Sequence, residues 1–545
     1  MPDSERPASP AEDIAIVGMD CVFAGAANLH AYWENIIYKK SAVADAPADW
    51  DGDRYYDPSA NANDRIYTKK GGFLRDLAIF DPLKHGVMPS SIDGGEPDQF
   101  FALEVVQRAL VDADYFNRPI SSERVEVILG RGTYINRGFT TVVQHGIVVD
   151  RVLDVLRTLH PEHSEHELAQ IKEELKASLP PFNPEMAPAL VPNLVTGRIA
   201  NRLDFQGVNY IIDAACASSH IAVQKAVEDL RTRRCDVAIS GGIQASTPAP
   251  IYMIFCQLSA LSRRGEIRPF DKDADGTLLA EGVGILVLKR LSDAEAANDR
   301  IYALIKAVGT ASDGRAVGML APRIEGEILA LRRAYEESGV DPGTVELVEA
   351  HGTATPVGDA AEVAALKAVF GDLQGSIPTC ALGSVKSSIG HCLPAAGSAG
   401  LIKAALALHT KILPPTLNCE NPNPDLGLET SPFYVNTEAR PWIHGDATPR
   451  RAGVNAFGFG GINAHAVLEE YRPRAGDALP FRLRRASEVL IVAGETREAI
   501  IVKAHDLADE IARGGDRPLA EHASALNSAM APSQLRLAIV AASHE

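Results

Sequence analysis

The sequence predicts a layered α/β fold, because short apolar runs alternate along the chain with segments of helical periodicity. The runs have the length and composition of buried strands. They lie at Ile14–Gly18, Val125–Gly130, Tyr210–Asp213, Val237–Gly241, Val345–Val348 and Ala381–Val385. Helical spacing appears between them, at Ile328, Leu331 and Tyr335 and again in Leu401–Leu408.

Later segments predict more mixed strands and the limits of the domains. Gly282–Leu291 and Ile462–Glu469 are predicted strands, and the charged segment Leu153–Leu179 is predicted to be helical and on the surface. After Tyr471 the composition becomes that of a linker, and a new α/β pattern begins at Val489. We therefore expect a disordered lead at 1–12, a main domain at 13–470, a linker at 471–486 and a second, truncated unit at 487–545.

Composition excludes several classes of protein. The 545 residues carry a formal net charge of −18, which is unfavourable for binding a nucleic-acid backbone. No apolar run reaches the roughly 18 residues that a membrane span needs. Seven cysteines, an odd number without CxxC spacing, argue against a disulfide framework or a cysteine-rich zinc site. We expect a cytoplasmic protein.

The segment Asn209–Val227 contains the first candidate catalytic residue. A strand leads through a turn of small residues into an amphipathic helix, and Cys216 stands at the junction. The positive end of the helix dipole and unpaired N–H groups would favour a thiolate there. A buried structural cysteine at a helix start would fit the same pattern.

Three further segments carry candidate residues. In Leu347–Val363, His351 follows a buried strand and precedes two threonines, Thr353 and Thr355. Strand ends open into clefts, so this histidine suits catalysis as well as it suits a structural turn.

Lys386 and His391 flank a glycine turn in Leu382–Leu406. In Gly453–Glu470, glycines surround Phe459 and would permit a mobile or strained loop. That loop lacks the GxGxxG spacing of a dinucleotide fingerprint.

These four segments together resemble the β-ketoacyl synthase family of thiolase-like condensing enzymes. The resemblance covers residues 13–470 and includes RPFDKDADGTLLAEGVG at Arg268–Gly284. It implies a thiolase-like fold, with two similar α/β halves stacked in five layers (αβαβα), and a homodimer. It also implies a nucleophile at Cys216, catalytic histidines at His351 and His391, a supporting lysine at Lys386, pantetheine-binding threonines at Thr353 and Thr355, a gate at Phe459, and an oxyanion hole at the N–H groups of Cys216 and Phe459.

The amino-acid sequences of two motifs resemble those of multidomain synthases of the iterative polyunsaturated-fatty-acid and polyketide type. The motifs are DAACASS around Cys216 and GVMPSSIDGGEPDQF at Gly86–Phe100. The resemblance implies decarboxylative condensation of a cysteine-bound acyl group with a malonyl thioester, delivered on the phosphopantetheine of an acyl carrier protein. No metal or redox cofactor is expected. Residues 487–545 resemble the region that links a ketosynthase to a neighbouring domain such as an acyltransferase.

Several alternatives stay open beside this interpretation. A condensation-silent chain-length or decarboxylase partner would typically lack the nucleophile, and a non-decarboxylative thiolase would have a second cysteine near the glycine loop. Asp271, Asp273 and Asp275 mimic the start of an EF-hand, but residue 282, where the acid should stand, is glycine. His220, four residues after Cys216, stands where the family usually has an apolar residue. We interpret it as a wall residue rather than a catalytic base.

Overall fold

The computed structural model of the chain describes residues 12–50, 52–59, 62–118, 120–132, 136–182, 184–315, 318, 321–373, 377–445, 447–472, 487–513, 519–528 and 535–542. The predicted N-terminal lead and linker lie outside these residues, except for Glu12, Tyr471 and Arg472. The chain divides into two compact units, with the boundary between Arg474 and Ala475.

The strands that the structure describes are β1 Ile14–Phe23, β2 Ala44–Asp45, β3 Lys70–Gly71, β4 Val125–Arg131, β5 Asn209–Ile212, β6 Val237–Gln244, β7 Gly282–Arg290, β8 Ala303–Ser312, β9 Leu347–Glu349, β10 Cys380–Gly383, β11 Ile412–Leu413, β12 Phe433–Val435, β13 Arg440–Pro441, β14 Arg451–Gly458, β15 Ile462–Glu469, β16 Glu488–Gly494 and β17 Leu535–Ala541.

The α-helices in the described residues are α1 Leu29–Ile37, α2 Ser90–Gly94, α3 Pro97–Asp112, α4 Arg137–Val143, α5 Val149–Leu159, α6 Glu165–Ala177, α7 Ala187–Leu190, α8 Leu194–Leu203, α9 Ser218–Arg231, α10 Ala249–Gln257, α11 Leu291–Ala296, α12 Ile324–Ser338, α13 Pro356–Phe370, α14 Lys386–Ile389, α15 Ala396–Thr410, α16 Arg497–Arg513 and α17 Leu519–Ser528. None of them is both long and apolar enough to cross a membrane.

The main sheet of the first unit consists of two halves with the same strand pattern. One half runs β1-β7-β6-β4-β5 and the other β8-β15-β14-β9-β10, with β12 added beyond β10. In each half the first two pairings are antiparallel and the next two parallel. The halves meet where β1 and β8 pair over three residues. This repeat confirms the predicted thiolase-like architecture of two similar halves.

Helices α9 and α15 form the middle layer between the two halves. Helix α9 packs on β4 and β6 and also on β8 and β15, whereas α15 packs on β14 and also on β6 and β7. Every residue of Ala396–Leu408 in α15 is buried, which explains why small residues fill this helix. Helices α3 and α8 cover one outer face and α12 and α13 the other, giving five layers. The starts of α9 and α15 are equivalent positions in the repeat. The predicted catalytic residues Cys216 and His391 come shortly before these two helices, whereas His351 follows β9.

The predicted helical segment Leu153–Leu179 is two helices rather than one. Helix α5 ends at Leu159, and α6 begins at Glu165 behind a capping box formed by Ser164 and Glu167. The capping box satisfies backbone N–H groups at a new helix start, so the chain turns there instead of continuing. Val149, Leu153 and Leu168 bury a small apolar contact between the two helices.

The second unit has its own small core. Strands β16 and β17 pair antiparallel over seven residues, and α16 and α17 pack against β16. Leu490, Val492, Ile500 and Leu507 are among its buried residues. The α/β pattern predicted to begin at Val489 is present as strand β16 followed by helix α16.

Candidate active site

Cys216 lies in a strained turn between β5 and α9. Ala215, just before it, has a left-handed backbone with φ of 49°, which is costly for a residue other than glycine. The turn is held by Ser218, whose hydroxyl accepts a hydrogen bond from the Ala214 N–H at 2.8 Å and donates to the Ala215 carbonyl at 2.6 Å. The small side chains predicted around the cysteine therefore allow a sharp turn that presents the thiol at the helix start.

Opposing effects act on the Cys216 thiol. Burial raises its pKa to about 11, while the charge of Lys386 and hydrogen bonds from the N–H groups of Phe459 and Cys216 lower the pKa. The sequence predicted that the helix start favours the thiolate. The N–H groups do act in that direction, but the loss of hydration of a side chain only 3% exposed outweighs them.

His351 follows β9 and is partly buried. Its Nδ1 accepts a hydrogen bond from the Phe457 N–H at 3.3 Å, so that nitrogen carries no proton and Nε2 is the N–H of the neutral ring. Burial, together with the charge of Lys386, holds the pKa of His351 well below its usual range. The imidazole is therefore a neutral hydrogen-bond donor.

His391 has the same arrangement in a second loop of the site, between β10 and α15. Its Nδ1 accepts a hydrogen bond from the Leu393 N–H at 3.3 Å, and its ring is 3% exposed. Burial, and then the charge of Lys386, hold its pKa well below the usual range. Two different loops thus fix both imidazoles as Nε2–H tautomers.

Lys386 is the electrostatic neighbour common to the three candidate catalytic residues. It begins the short helix α14 and is 4% exposed. Its charge acts on Cys216, His351 and His391. Burial lowers the pKa of Lys386, while Glu349 and Glu362 raise it. The structure therefore brings together Cys216, His351, His391 and Lys386.

Thr353 and Thr355 form a short loop between His351 and α13. Their hydroxyl oxygens lie 3.1 Å apart, and both side chains are partly buried. Gly352 and Ala354 have positive φ angles of 42° and 59°, so the loop turns sharply at alternate residues. This places two hydroxyls side by side directly after the catalytic candidate His351.

Phe459 follows β14 and offers the site both a backbone N–H and an exposed ring. Its N–H lowers the pKa of the Cys216 thiol, whereas its ring is 38% exposed and stacks on Phe255 with centroids 5.7 Å apart. Gly460 and Gly461, with φ of 89° and 77°, follow it. A ring with one aromatic neighbour, between β14 and two left-handed glycines, can change rotamer without disturbing a packed core.

A carboxylate that the sequence did not single out holds the His351 loop. Glu362 in α13 accepts hydrogen bonds from the N–H groups of His351 and Gly352 at 2.6 and 2.8 Å, and from Asn455 Nδ2 at 2.8 Å. Burial raises its pKa. The sequence feature that could have revealed this role is the position of Glu362 among the apolar residues of α13, because a buried carboxylate needs hydrogen-bond donors around it.

His220 is fully buried, and within the described residues it makes no hydrogen bond to Cys216. Its Nε2–H donates to the Val454 carbonyl at 3.1 Å. Burial lowers the pKa of His220 to about 4, so the ring is neutral. His220, which the sequence suggested is a wall residue, therefore has a specific hydrogen-bond partner on strand β14.

Two aspartates of the EF-hand-like stretch, Asp271 and Asp275, already accept hydrogen bonds from other residues. Asp271 accepts hydrogen bonds from the N–H groups of Asp273 and Asn421, and Asp275 accepts from Ser262 and Arg263. Among the described residues, no group of three or more His, Cys, Asp or Glu side chains is arranged to hold a metal ion.

Comparison with family models gives three consecutive matches. The model described as "Beta-ketoacyl synthase, N-terminal domain" matches residues 11–294, and the corresponding C-terminal domain matches residues 302–420. The "Ketoacyl-synthetase C-terminal extension" matches residues 422–532.

Two curated relatives are similar over most of the chain. A polyunsaturated fatty acid synthase protein of Thraustochytrium is 37% identical over 89% of this chain, and polyketide synthase PksL of Bacillus subtilis is 34% identical over 98%. This chain spans only 17% and 11% of the lengths of those two proteins.

Solved structures agree with the fold. The ketosynthase from module 6 of the bacillaene synthase of Bacillus subtilis has a TM-score of 0.72 at 33% identity, covering 98% of this chain and 83% of that one. The oxazolomycin ketosynthase domain of Streptomyces albus has a TM-score of 0.74 at 29% identity, covering 97% and 85%.

Proposed function

The chain belongs to the β-ketoacyl synthase family, which makes it an acyltransferase, and from that premise we propose how its own residues carry out the condensation. In the proposed reaction a Cys216-bound acyl group is condensed with a malonyl thioester to give a β-ketoacyl thioester and carbon dioxide. The observation that carries the proposal is the pair of imidazoles whose Nδ1 atoms each accept a backbone N–H. That leaves two neutral Nε2–H donors, which an enolate oxygen needs.

In the first half-reaction Cys216 attacks an acyl thioester as its thiolate. The carrier then leaves as a thiolate, which takes up the proton that the cysteine lost. A thiolate is both a strong nucleophile and a good leaving group, so the same sulfur serves both half-reactions. The N–H groups of Phe459 and Cys216, which meet the sulfur in the free enzyme, are proposed to donate to the oxyanion of the tetrahedral intermediate. One such donor typically lowers the barrier by about 3–4 kcal/mol.

In the second half-reaction the malonyl thioester loses carbon dioxide, and its enolate attacks the acyl carbon on Cys216. The bond between that carbon and the Cys216 sulfur then breaks, and the cysteine leaves as a thiolate and regains its proton. His351 and His391 are proposed to donate Nε2–H hydrogen bonds to the thioester oxygen as negative charge develops there. A neutral ring can donate from Nε2–H without first being protonated, and the lowered pKa values keep both rings neutral. Lys386 is the proposed supporting cation.

The substrates are proposed to arrive on the phosphopantetheine arm of an acyl carrier protein. Thr353 and Thr355 are the proposed hydroxyl contacts for that arm, because their oxygens lie side by side after His351. The larger protein would then be a polyketide or polyunsaturated-fatty-acid type of synthase with neighbouring domains such as an acyltransferase. All seven cysteines are free and buried, which supports the proposed cytoplasmic location.

The two alternative functions fit the residues less well. A condensation-silent partner would not need the strained turn that presents Cys216. A thiolase would use a second cysteine as base, and the loop Gly458–Gly461 contains none.

Separating the half-reactions tests the proposal. Cys216→Ala should abolish self-acylation while malonyl decarboxylation survives, because the two imidazoles remain. His391→Ala should retain acylation and lose condensation. Cys256→Ala, in the same buried cluster as Cys216, is the matched control and should retain both activities. Wild-type condensation by His391→Ala would contradict the role given to His391.

A further inference from the structure

His220 lies where the three elements of the site meet. It belongs to α9, is 0% exposed, and donates from Nε2 to the Val454 carbonyl of β14. On its other side it faces Gly397, at the start of α15. A Cβ on Gly397 would approach His220 Nδ1 to 2.3 Å, so glycine leaves the space that the ring fills. His220, on the helix that follows Cys216, therefore faces both the helix that follows His391 and a strand from the other half of the fold.

The strand that His220 holds controls the setting of His351. Asn455, next to Val454, donates to Glu362, and Glu362 in turn accepts the N–H of His351. Two residues later, the Phe457 N–H donates to His351 Nδ1. A shift of β14 would change both contacts that orient this imidazole.

The same strand also ends against the nucleophile. Gly458 lies so close to the cysteine turn that a Cβ there would approach the Ala214 carbonyl oxygen to 2.7 Å. The next residue, Phe459, has a backbone N–H that lowers the pKa of the Cys216 thiol. The close approach at Gly458 means that the register between β14 and α9 sets where this N–H lies relative to the cysteine turn.

We propose that His220 is a positioning residue that fixes this register through its hydrogen bond to the Val454 carbonyl. The inference deepens the proposed function, since it concerns the same site. The apolar residue usual at this place in the family cannot donate to a carbonyl. The bond joins residues 234 positions apart in the chain. His220 does not act on the Cys216 sulfur itself, whose pKa is lowered by Lys386 and the backbone N–H groups.

The position of Nε2 in the ring means that substitution by glutamine and substitution by asparagine should have different effects. Nε2 makes the hydrogen bond, while Nδ1 is buried without a hydrogen-bond partner among the described residues. Glutamine carries its amide nitrogen the same number of bonds from Cα as histidine Nε2, whereas asparagine carries its amide at the depth of Nδ1. His220→Gln can therefore restore the bond to Val454, but His220→Asn and His220→Leu cannot.

The test compares these three variants of the whole chain by two rates. The first is the rate of Cys216 alkylation by iodoacetamide, which needs no carrier protein or substrate. The second is the rate of acyl transfer to Cys216, resolved into kcat and KM. We expect roughly tenfold or larger losses of both rates in the Leu and Asn variants with KM little changed, and Gln within about threefold of wild type.

Thermal unfolding of each variant separates positioning from stability. Equal losses in Gln, Asn and Leu, in proportion to the fall in Tm, would make His220 a packing residue only and would overturn the inference. Wild-type rates in all three variants would overturn it as well. If the Leu variant does not fold, the Gln–Asn pair decides. Failure of the proposed function would appear as absent acyl transfer in the wild type, while alkylation would still report the positioning.

Discussion

The imidazole rings of His351 and His391 meet edge to face, with centroids 5.5 Å apart and planes at 87°. At this separation two protonated rings would repel each other, and the positive charge of Lys386 adds to the cost. Both rings belong to the half of the fold that contains β9 and β10, and a backbone N–H fixes each tautomer. The pair is therefore built to stay neutral.

Because both rings stay neutral, we expect the rate of malonyl decarboxylation to change little as the pH falls below about 7. A folded pKa held below 6.5 means that the neutral donors persist as the pH falls through the usual histidine range. Malonyl decarboxylation by Cys216→Ala, measured from about pH 7.5 to about pH 6.0, should change less than about twofold. A titration centred near the usual histidine pKa of about 6.5 would show that one ring protonates in the working range.

The Cys216 thiol predicts a rising alkylation rate across neutral and alkaline pH. Its raised pKa, about 11, means that the thiolate fraction grows about tenfold per pH unit up to about pH 10. We also expect Cys216 to be labelled faster than the other six thiols, because the charge of Lys386 and two backbone N–H groups oppose the effect of burial on its pKa. Iodoacetamide labelling over that pH range, followed by peptide mapping, measures both. Cys392, buried beside His391, is the internal control. Faster labelling of Cys392, or a plateau near the ordinary cysteine pKa of about 8.5, would contradict the assignment.

Local patterns in the sequence predicted the motifs of the site because each motif is contiguous. A strand, a turn of small residues and a helix are all visible around Cys216, and the strand predicted at Ile462–Glu469 has those bounds in the structure. The strand predicted at Val345–Val348 begins only at Leu347, because a 3-10 turn at Pro342–Thr344 precedes it. Apolar periodicity alone does not show where such a turn ends.

The supporting contacts could not be predicted from local patterns because they join distant parts of the chain. Asn455 and Glu362 are 93 positions apart, and His220 and Val454 are 234 apart. Nothing in the sequence near His220 indicates that β14 will lie within reach of its ring. The pairing follows from the twofold repeat of the sheet, which brings the second half over α9.

We expect a homodimer in solution. Strand β5, which leads into Cys216, lies at an edge of the main sheet, pairs with β4 alone among the described strands, and is only half-buried. A strand with a free edge is a template for pairing with a second copy. Light scattering at micromolar concentration should give about twice the 58.2 kDa chain mass. A stable monomer with condensing activity would contradict this expectation.

The last prediction concerns a buried ion pair beneath the His351 loop. Lys403 in α15 and Glu349 at the end of β9 lie 2.6 Å apart, and both side chains are almost fully buried. Glu349 also accepts the Val385 N–H at 2.7 Å. Lys403→Met would leave a buried carboxylate without its cation, which typically costs about 3–5 kcal/mol in the free energy of unfolding.

The double variant Lys403→Met with Glu349→Gln removes both charges and keeps an acceptor for the Val385 N–H. It should recover most of the lost stability, because the cost in the single variant comes from the unpaired carboxylate rather than from the missing attraction. Urea unfolding of the wild type, both single variants and the double variant measures the coupling. If the double variant is as unstable as the sum of the two single variants, the two side chains are energetically independent, and the ion pair does not hold α15 to the strand that leads to His351.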